Sequence, residues 1–380
     1  MPTPHEWAAS GGVRLARPFA LSALLVFAEG VAAILCSWVR GWPLGVWLNG
    51  VERHATSKDR PMEIGAHLPL IPISDGESSL AGLRAYASAA SRLGYRWLCA
   101  NDHLVFRRPW LDGLTALAAV LDTSDDLGLA TTVCLPAVRG PAQAAKAFAA
   151  LDVLSGGRFV AGVGPGSSER DYVVGGVPAH ARFARFEEAV RALRALLGRD
   201  PEPFAGRFYS TAGVTLEPPP GEPGRPPIWL AGWGGGRGLR RAAELGDGWL
   251  ASGYNTTPER FAASWAEVRK HVGARGGDPD RFANGIATLW TYVTEDRAKA
   301  ERILADVLAP LLGRDVESLR TLSLPIGPAE VCAQRLSAFA DAGAERMFVW
   351  PLGDDVHQLT LVAERVVPLI SEATPTKPPS

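Results

Sequence analysis

The triplet Asn101-Asp102-His103 ends an apolar run, Tyr95 to Ala100, and sets an imidazole beside a carboxylate. Histidine titrates near neutrality, so His103 is a candidate proton-transfer group with Asp102 tuning or orienting it. The competing reading is an aspartate that caps the next loop and a histidine that only packs. A second apolar run ends in Thr131-Thr132-Val133-Cys134-Leu135-Pro136, and a third in Gly162-Val163-Gly164-Pro165-Gly166-Ser167-Ser168. Glycines there let backbone approach a flat ring or offer amide donors, although a bare G-x-G-x-G is more often a tight turn. It lacks the acidic residue about twenty positions on that the dinucleotide fingerprint requires. A fourth run enters Gly232-Trp233-Gly234-Gly235-Gly236-Arg237-Gly238 and then a helical segment. Free amides at a helix start with an arginine beside them make a phosphate cradle, or else the segment is a flexible loop with a solvated arginine. The sequence has no metal-ligand triad, no G-x-S-x-G elbow and no P-loop, which leaves hydrolase and kinase readings without support.

These segments must be held by the elements that precede them. Strand-type runs cover Glu63 to His67, Tyr95 to Ala100, Leu127 to Val133, Arg158 to Val163, Ile228 to Ala231, Gly248 to Ala251, Gly285 to Val293 and Arg346 to Trp350. Helix-length segments of 3.6 periodicity alternate with them: Ser79 to Leu93, Pro141 to Leu154, Phe183 to Leu197, Gly238 to Leu245, Pro258 to Val272, Arg297 to Leu312, Pro328 to Ala342 and Val356 to Ile370. Alternation of this kind predicts β-α units on a parallel sheet. Pro141 suits a first helical turn, and Gly156-Gly157 suits a left-handed stop before the next strand. Two long connections, 198–227 and 313–327, are candidate binding loops or lids. The count fits a closed (β/α)8 barrel, whose chemistry would gather at the C-terminal strand ends; an open doubly wound sheet reads similarly.

Of 380 residues, 47% are hydrophobic and 21% charged, enough apolar material for a large core. The 39 basic and 40 acidic residues nearly cancel, which gives no reason to expect a nucleic-acid partner and favours a small-molecule substrate. Cys36, Cys99, Cys134 and Cys332 form no C-x-x-C pair. They read as reduced thiols of a cytoplasmic protein, with Cys99 a small buried hydrophobe. Residues 18–39 are an apolar stretch of membrane-spanning length, interrupted by Glu29 and flanked by Arg14, Arg17 and Arg40. Membrane contact is expected only if that stretch is a real anchor, and a central glutamate is costly in lipid. Met62 opens the first strand after a polar stretch, so residues 1–61 read as a non-barrel N-terminal extension, 62–372 as the barrel and 373–380 as a disordered tail.

The segments from 127 to 187, LGLATTVCLPAVRGPAQAAKAFAALDVLSGGRFVAGVGPGSSERDY followed by GVP and RFEE, resemble the luciferase-like monooxygenase family. So does PPIWLAGWGGGRGLRRAAELGDGW at 226–249, and the similarity extends from Met62 to about Ile370. The resemblance implies an α/β TIM barrel that binds reduced FMN or the deazaflavin coenzyme F420 at its C-terminal mouth. By the same resemblance Asp102 and His103 match an Asp-His pair beside the hydride-carrying ring position, which makes His103 the proton-transfer or cofactor-orienting residue. Thr132-Val133 matches a non-prolyl cis peptide behind the ring; Gly164, Gly166 and Ser167 match backbone contacts near it. Gly232, Gly234, Gly235 and Gly236 with Ser252 match the phosphate-binding turns.

Two departures stand out. Ser167-Ser168 precedes Glu169 where certain deazaflavin sugar-phosphate dehydrogenases carry a catalytic glutamate, so that activity is not supported. The glycine loop at 232–238 is longer than usual and includes Trp233. The Asp-His-Leu string and the LSGGR block favour the deazaflavin subgroup over the FMN one. The expectation is a flavin-type oxidoreductase, by hydride transfer or by monooxygenation with oxygen if the cofactor is FMN, and it includes a homodimer. A catalytically silent flavin-binding barrel is the alternative. Phe106, Trp110, Tyr172 and Trp290 are candidate pocket-lining aromatics or ordinary packing residues.

Overall fold

Eight parallel strands close on themselves in the order β1 (Glu63–His67), β2 (Trp97–Ala100), β3 (Gly128–Thr131), β4 (Phe159–Val163), β5 (Ile228–Ala231), β6 (Gly248–Ser252), β7 (Ala283–Val293) and β9 (Arg346–Pro351). The pairing of β6 with β7 and of β9 with β1 completes the ring, so the chain folds as a (β/α)8 barrel and the open-sheet alternative falls. This computed structural model describes residues 62–73, 78–200, 202–222, 224–232 and 235–373. The expected extension at 1–61, its apolar stretch, Cys36, Trp233, Gly234 and the tail from 374 lie outside the described residues. Among the described residues no helix is long and apolar enough to cross a membrane.

The barrel interior is filled by large rings set against glycines. Trp97 pairs in register with Gly65 and Gly128, Trp229 with Gly248, and Phe348 with Gly65. A Cβ on Gly65 would stand 2.6 Å from the Phe348 ring, and one on Gly248 2.7 Å from the Trp229 indole. Large-against-small packing of this kind fills a narrow barrel without voids. At the N-terminal end the Arg346 guanidinium lies over both indoles, 5.4 Å from Trp97 and 5.1 Å from Trp229, and pairs with Glu63 at 2.8 Å. Cys99 lies in this interior, fully buried, and burial raises its thiol pKa to about 12, as expected of an inert core cysteine.

The expected elements form with shifted ends. β2 begins at Trp97 because Tyr95 turns outward to donate its hydroxyl to the Leu359 carbonyl at 2.9 Å. β3 ends at Thr131, before the cis Thr132–Val133 bond. Ser79 is an N-cap, accepting from Gly82 N at 3.1 Å, and Gly156 and Gly157 take left-handed φ of 63° and 80°. The segment expected as one helix from Arg297 to Leu312 contains a π-helical turn at Ile303–Leu308, and the final helix has another at Val362–Val366. Proline cannot donate to the carbonyl four residues back and its ring crowds it. Pro310 faces Asp306 and Pro368 faces Glu364 in this way, and the wider turn falls on both carbonyls. The 313–327 connection holds a short helix, Val316–Arg320, and an unexpected two-residue strand, β8 (Ile326–Gly327), which pairs with the far end of β7 outside the ring.

The long 198–227 connection is stapled to the N-terminal face of the barrel. Arg225 donates from Nε and Nη2 to Asp152 Oδ1 at 3.2 Å, and from Nη2 to the carbonyls of Gly157 and Phe159. Asp152, whose side chain is 1% exposed, is thereby paired, as a buried carboxylate must be. The LDVLSGGRF block therefore works as scaffold at the strand starts, away from the mouth.

Candidate active site

The end of β2 delivers Asp102 and His103 to the C-terminal mouth, but the two do not form the expected pair. Both Asp102 oxygens are committed elsewhere: Oδ1 accepts from Arg139 Nη2 at 2.6 Å, and Oδ2 accepts from Arg139 Nε at 2.6 Å and Leu135 N at 3.2 Å. The same guanidinium reaches Asp112, which caps the helix Gly113–Ala119. Burial pushes the Asp112 carboxyl up, but Arg139 and the Thr115 amide outweigh it and hold it below its ordinary value. Asp102 thus ties the β2 end to the turn after β3.

The carboxylate that orients His103 is Asp171, from the short helix Glu169–Val174 that follows β4. Its Oδ2 lies 2.7 Å from His103 Nδ1, and its Oδ1 accepts from Leu104 N at 2.9 Å and Val105 N at 3.0 Å. With Asp171 fully buried and accepting at both oxygens, Nδ1 carries the proton and Nε2 is left for the cleft. Phe106 and Trp110 pack against the imidazole, each with ring centroids 4.6 Å away. Asp171 lies 68 residues beyond His103, and nothing in the sequence links the two except the fold.

The cleft beside His103 is lined by Asn101, Asp102, Thr132, Val133, Leu135, Gly166, Ser167, Ala231, Leu250, Ala251, Ser252, Tyr254, Ala287 and Thr288. The structure therefore brings together His103, Asp102, Thr132, Val133, Gly166, Ser167 and Ser252. Gly164 lies beneath the floor: its amide donates to Cys134 O at 3.0 Å, and an added Cβ would stand 2.6 Å from Val133 Cγ2. Gly232 is committed to the barrel, its amide donating to Leu250 O at 3.2 Å and its carbonyl accepting from Trp249 Nε1 at 2.9 Å. Gly235 and Gly236 open the helix Gly236–Leu245, in which Gly238 N and Leu239 N donate to Gly235 O at 3.1 and 3.5 Å and the amides before them have no intrahelical acceptor. A carboxylate, Glu267, already stands near that helix start, 3.0 Å from where a Gly236 Cβ would be. Ser252 Oγ accepts from Asn255 Nδ2 at 3.0 Å. Of the aromatic candidates, Phe106 and Trp110 flank His103, Trp290 is buried at 1% exposure against Trp350, and Tyr172 is a packing residue that donates its hydroxyl to Pro165 O. A larger hollow between the helix Leu80–Arg92 and the loops after β1 and β9 contains none of these residues.

Two further residues escape a reading of the sequence. Thr288 sits in the cleft with φ of 60°, a left-handed conformation that strains a β-branched residue and is held by the irregular pairing of β7 with β9 between Ile286 and Leu289. His67, fully buried at the end of β1, stacks on Trp350 with centroids 3.4 Å apart and its Nδ1 lies 2.7 Å from the Leu68 carbonyl. Burial drives its pKa down to about 3, so it is neutral in the folded chain. An unfolded chain takes up this proton below the ordinary value of 6.5, while folded His67 refuses it until about 3, so its stabilising contribution is full above 6.5 and declines as pH falls. Between pH 7 and 5 it should cost about 2 kcal/mol. Urea midpoints at the two pH values are expected to converge in a His67→Gln variant, and an unchanged difference would refute this.

Comparison with known proteins agrees with the barrel. A relative from Mycobacterium tuberculosis, F420-dependent hydroxymycolic acid dehydrogenase, is 30% identical over 228 residues, 57% of this chain. The chain spans 61% of that relative's length. F420-dependent glucose-6-phosphate dehydrogenase from Kribbella flavida is 27% identical over 318 residues, covering 75% of this chain and 92% of that protein. The solved structure of an F420-dependent secondary alcohol dehydrogenase with an F420-acetone adduct superposes with a TM-score of 0.70 at 19% identity, over 82% of this chain and 99% of that one, a likeness of fold. The family model described as luciferase-like monooxygenase matches residues 62–315, from β1 through the helices after β7. That match takes in well over half of the sequence and every strand that lines the cleft, and the chain belongs to the luciferase-like monooxygenase family.

Proposed function

We propose that this chain is an F420-dependent oxidoreductase that moves a hydride between the deazaflavin and a small organic substrate, with His103 as the proton-transfer residue. The observation that carries the reading is the His103–Asp171 pair, which engages Nδ1 and leaves Nε2 of a cleft-lining imidazole free for proton transfer. The cleft suits a flat ring: its floor is the Thr132–Val133 segment with Gly166, and Thr132 Oγ1 is a buried polar atom without a partner. Thr132, Val133, Gly166 and Ser167 would hold the ring, and Ser252 with the amides at Gly235 and Gly236 the phosphate. The bound deazaflavin supplies the hydride acceptor or donor. In the oxidative direction the substrate's carbinol carbon gives up a hydride and its hydroxyl proton passes to His103 Nε2, leaving a carbonyl. A proton-transfer residue set in the cleft suits hydride chemistry better than oxygen activation, which supports F420 over FMN, and both curated relatives described above are named as F420-dependent. The buried, unbridged Cys99, Cys134 and Cys332 fit a reducing compartment such as the cytoplasm.

The test is a titration of the purified protein with F420 and with FMN, followed by absorbance. F420 is expected to bind at micromolar concentration or tighter. Binding of FMN alone would move the reaction toward oxygen chemistry, binding of neither would remove the cofactor assignment, and F420 binding without turnover of any alcohol or carbonyl would leave a silent carrier.

A further inference from the structure

Among the described residues, His67 Nε2, Asn101 Oδ1 and Thr132 Oγ1 are buried without a hydrogen-bond partner, and the three belong to neighbouring strand ends. β1 and β2 pair with His67 opposite Cys99, and β2 and β3 with Ala100 opposite Thr131. Asn101 and Thr132 are the next residues on, and both line the cleft. His67 stands one strand over and two residues deeper, fully buried and stacked on Trp350. Buried polar atoms are nearly always paired, so each of the three calls for a partner.

The bonding sense of His67 decides that of Asn101. The imidazole is neutral, and its Nδ1 lies 2.7 Å from the Leu68 carbonyl, which can only accept. The single ring proton therefore sits on Nδ1, and Nε2 is a bare lone pair. The Asn101 side chain stands close enough to this ring to act on its protonation. Two acceptors facing each other repel, and a planar amide fills the same space either way round. The N–H end of Asn101 thus belongs to His67, which leaves its carbonyl to the cleft. Thr132 supplies the complement. A neutral Cys99 thiol lies near its hydroxyl, and a thiol is a weak partner, so Oγ1 keeps its own proton to give. An acceptor beside a donor matches the edge of a cyclic imide, in which an N–H adjoins a carbonyl.

We infer that Asn101 and Thr132 read the imide edge of the cofactor's ring, with Asn101 Oδ1 accepting the imide N–H and Thr132 Oγ1 donating to the adjacent carbonyl. His67 is the positioning residue that keeps the amide turned this way. The inference rests on the oxidoreductase reading and deepens it by naming what holds the polar end of the ring. Deazaflavin and flavin share that edge, so the pair selects the ring type and leaves the choice between the two to other contacts.

Titrations of the cofactor-free protein with F420 and with FMN, each set against its analogue methylated at the imide nitrogen, provide the first test. The wild type is expected to prefer the parent ring that it binds over the methylated one by about 10- to 100-fold. Asn101→Leu, similar in size and without the carbonyl, should bind the parent more weakly and lose the preference. His67→Phe, which keeps a ring against Trp350 and removes the lone pair, should lose part of it. Equal binding of parent and methylated ring by the wild type would overturn the inference and leave the cofactor assignment intact, whatever the variants do. A preference undiminished in Asn101→Leu would overturn it as well. The second test needs no cofactor: a proton–nitrogen correlation spectrum of the histidine rings, in which the signal lost in His67→Gln identifies His67. The proton is expected on Nδ1. A proton on Nε2 would turn the Asn101 carbonyl inward and overturn the inference even if F420 binds. Binding of neither parent ring would instead remove the oxidoreductase reading, and the ring as occupant with it.

Discussion

An Asp171→Asn variant is expected to lose about 10²- to 10³-fold in kcat, and His103→Ala at least as much, with F420 affinity changed no more than a few-fold. The asymmetry of the asparagine amide gives the reason. Its oxygen can still accept from Leu104 N and Val105 N, so the loop after β2 keeps its shape. Its NH₂ then faces His103 Nδ1, where the carboxylate had accepted, and forces the proton to Nε2. The imidazole presents the wrong tautomer to the cleft, and no negative charge steadies the imidazolium that would form on accepting a proton. Steady-state kinetics with a parallel cofactor titration separate this from unfolding. A variant that retained more than a tenth of wild-type kcat would show that His103 does not move the proton.

Arg139→Met should act on stability in preference to chemistry. The Asp102 side chain is 4% exposed and the Arg139 side chain 18%, and the two are joined by two bonds of 2.6 Å. Removing one member of a buried pair leaves the other charge uncompensated, at a cost of about 3–5 kcal/mol. In a chain of this size that lowers Tm by roughly 4–8 °C. The double variant Asp102→Asn with Arg139→Met removes both charges and should recover a large part of the loss, because the penalty belongs to the unpaired charge. Calorimetry of the three proteins is the check. A single variant that loses less than about 1 kcal/mol would mean that water reaches the pair and screens it.

The two variants divide the roles of two aspartates that the sequence presents very differently. Asp102 adjoins His103, and adjacency made it the natural partner. Asp102 meets Arg139, the last residue of the short helix Pro136–Arg139 that follows β3, while His103 meets a carboxylate 68 residues on. Periodicity located all eight barrel strands to within a few residues, because alternating β-α units bury their faces in a regular way. It missed β8, whose two residues are too short for any pattern, and the π turns, which follow from Pro310 and Pro368 acting on carbonyls four residues back. Residues at strand ends were legible as a group. Which of them touch was not, because that depends on side-chain direction at the end of each strand, as Gly164 and Gly232 show by spending their main-chain groups inside the barrel. Thr288 and His67 gave no signal at all: a left-handed threonine and a buried neutral histidine are products of tertiary packing.

The staple of Asp152 to Arg225 separates what identifies this family from what distinguishes its members. The block that makes the sequence recognisable clamps one end of the barrel, and His103, with Phe106 and Trp110 packed on it, occupies the other. Changes of substrate can accumulate at the mouth without disturbing the clamp, and the clamp can be inherited intact by enzymes that share no substrate. Sequences chosen by that block will therefore share an architecture, and their chemistry has to be sorted by the residues that follow the strand ends.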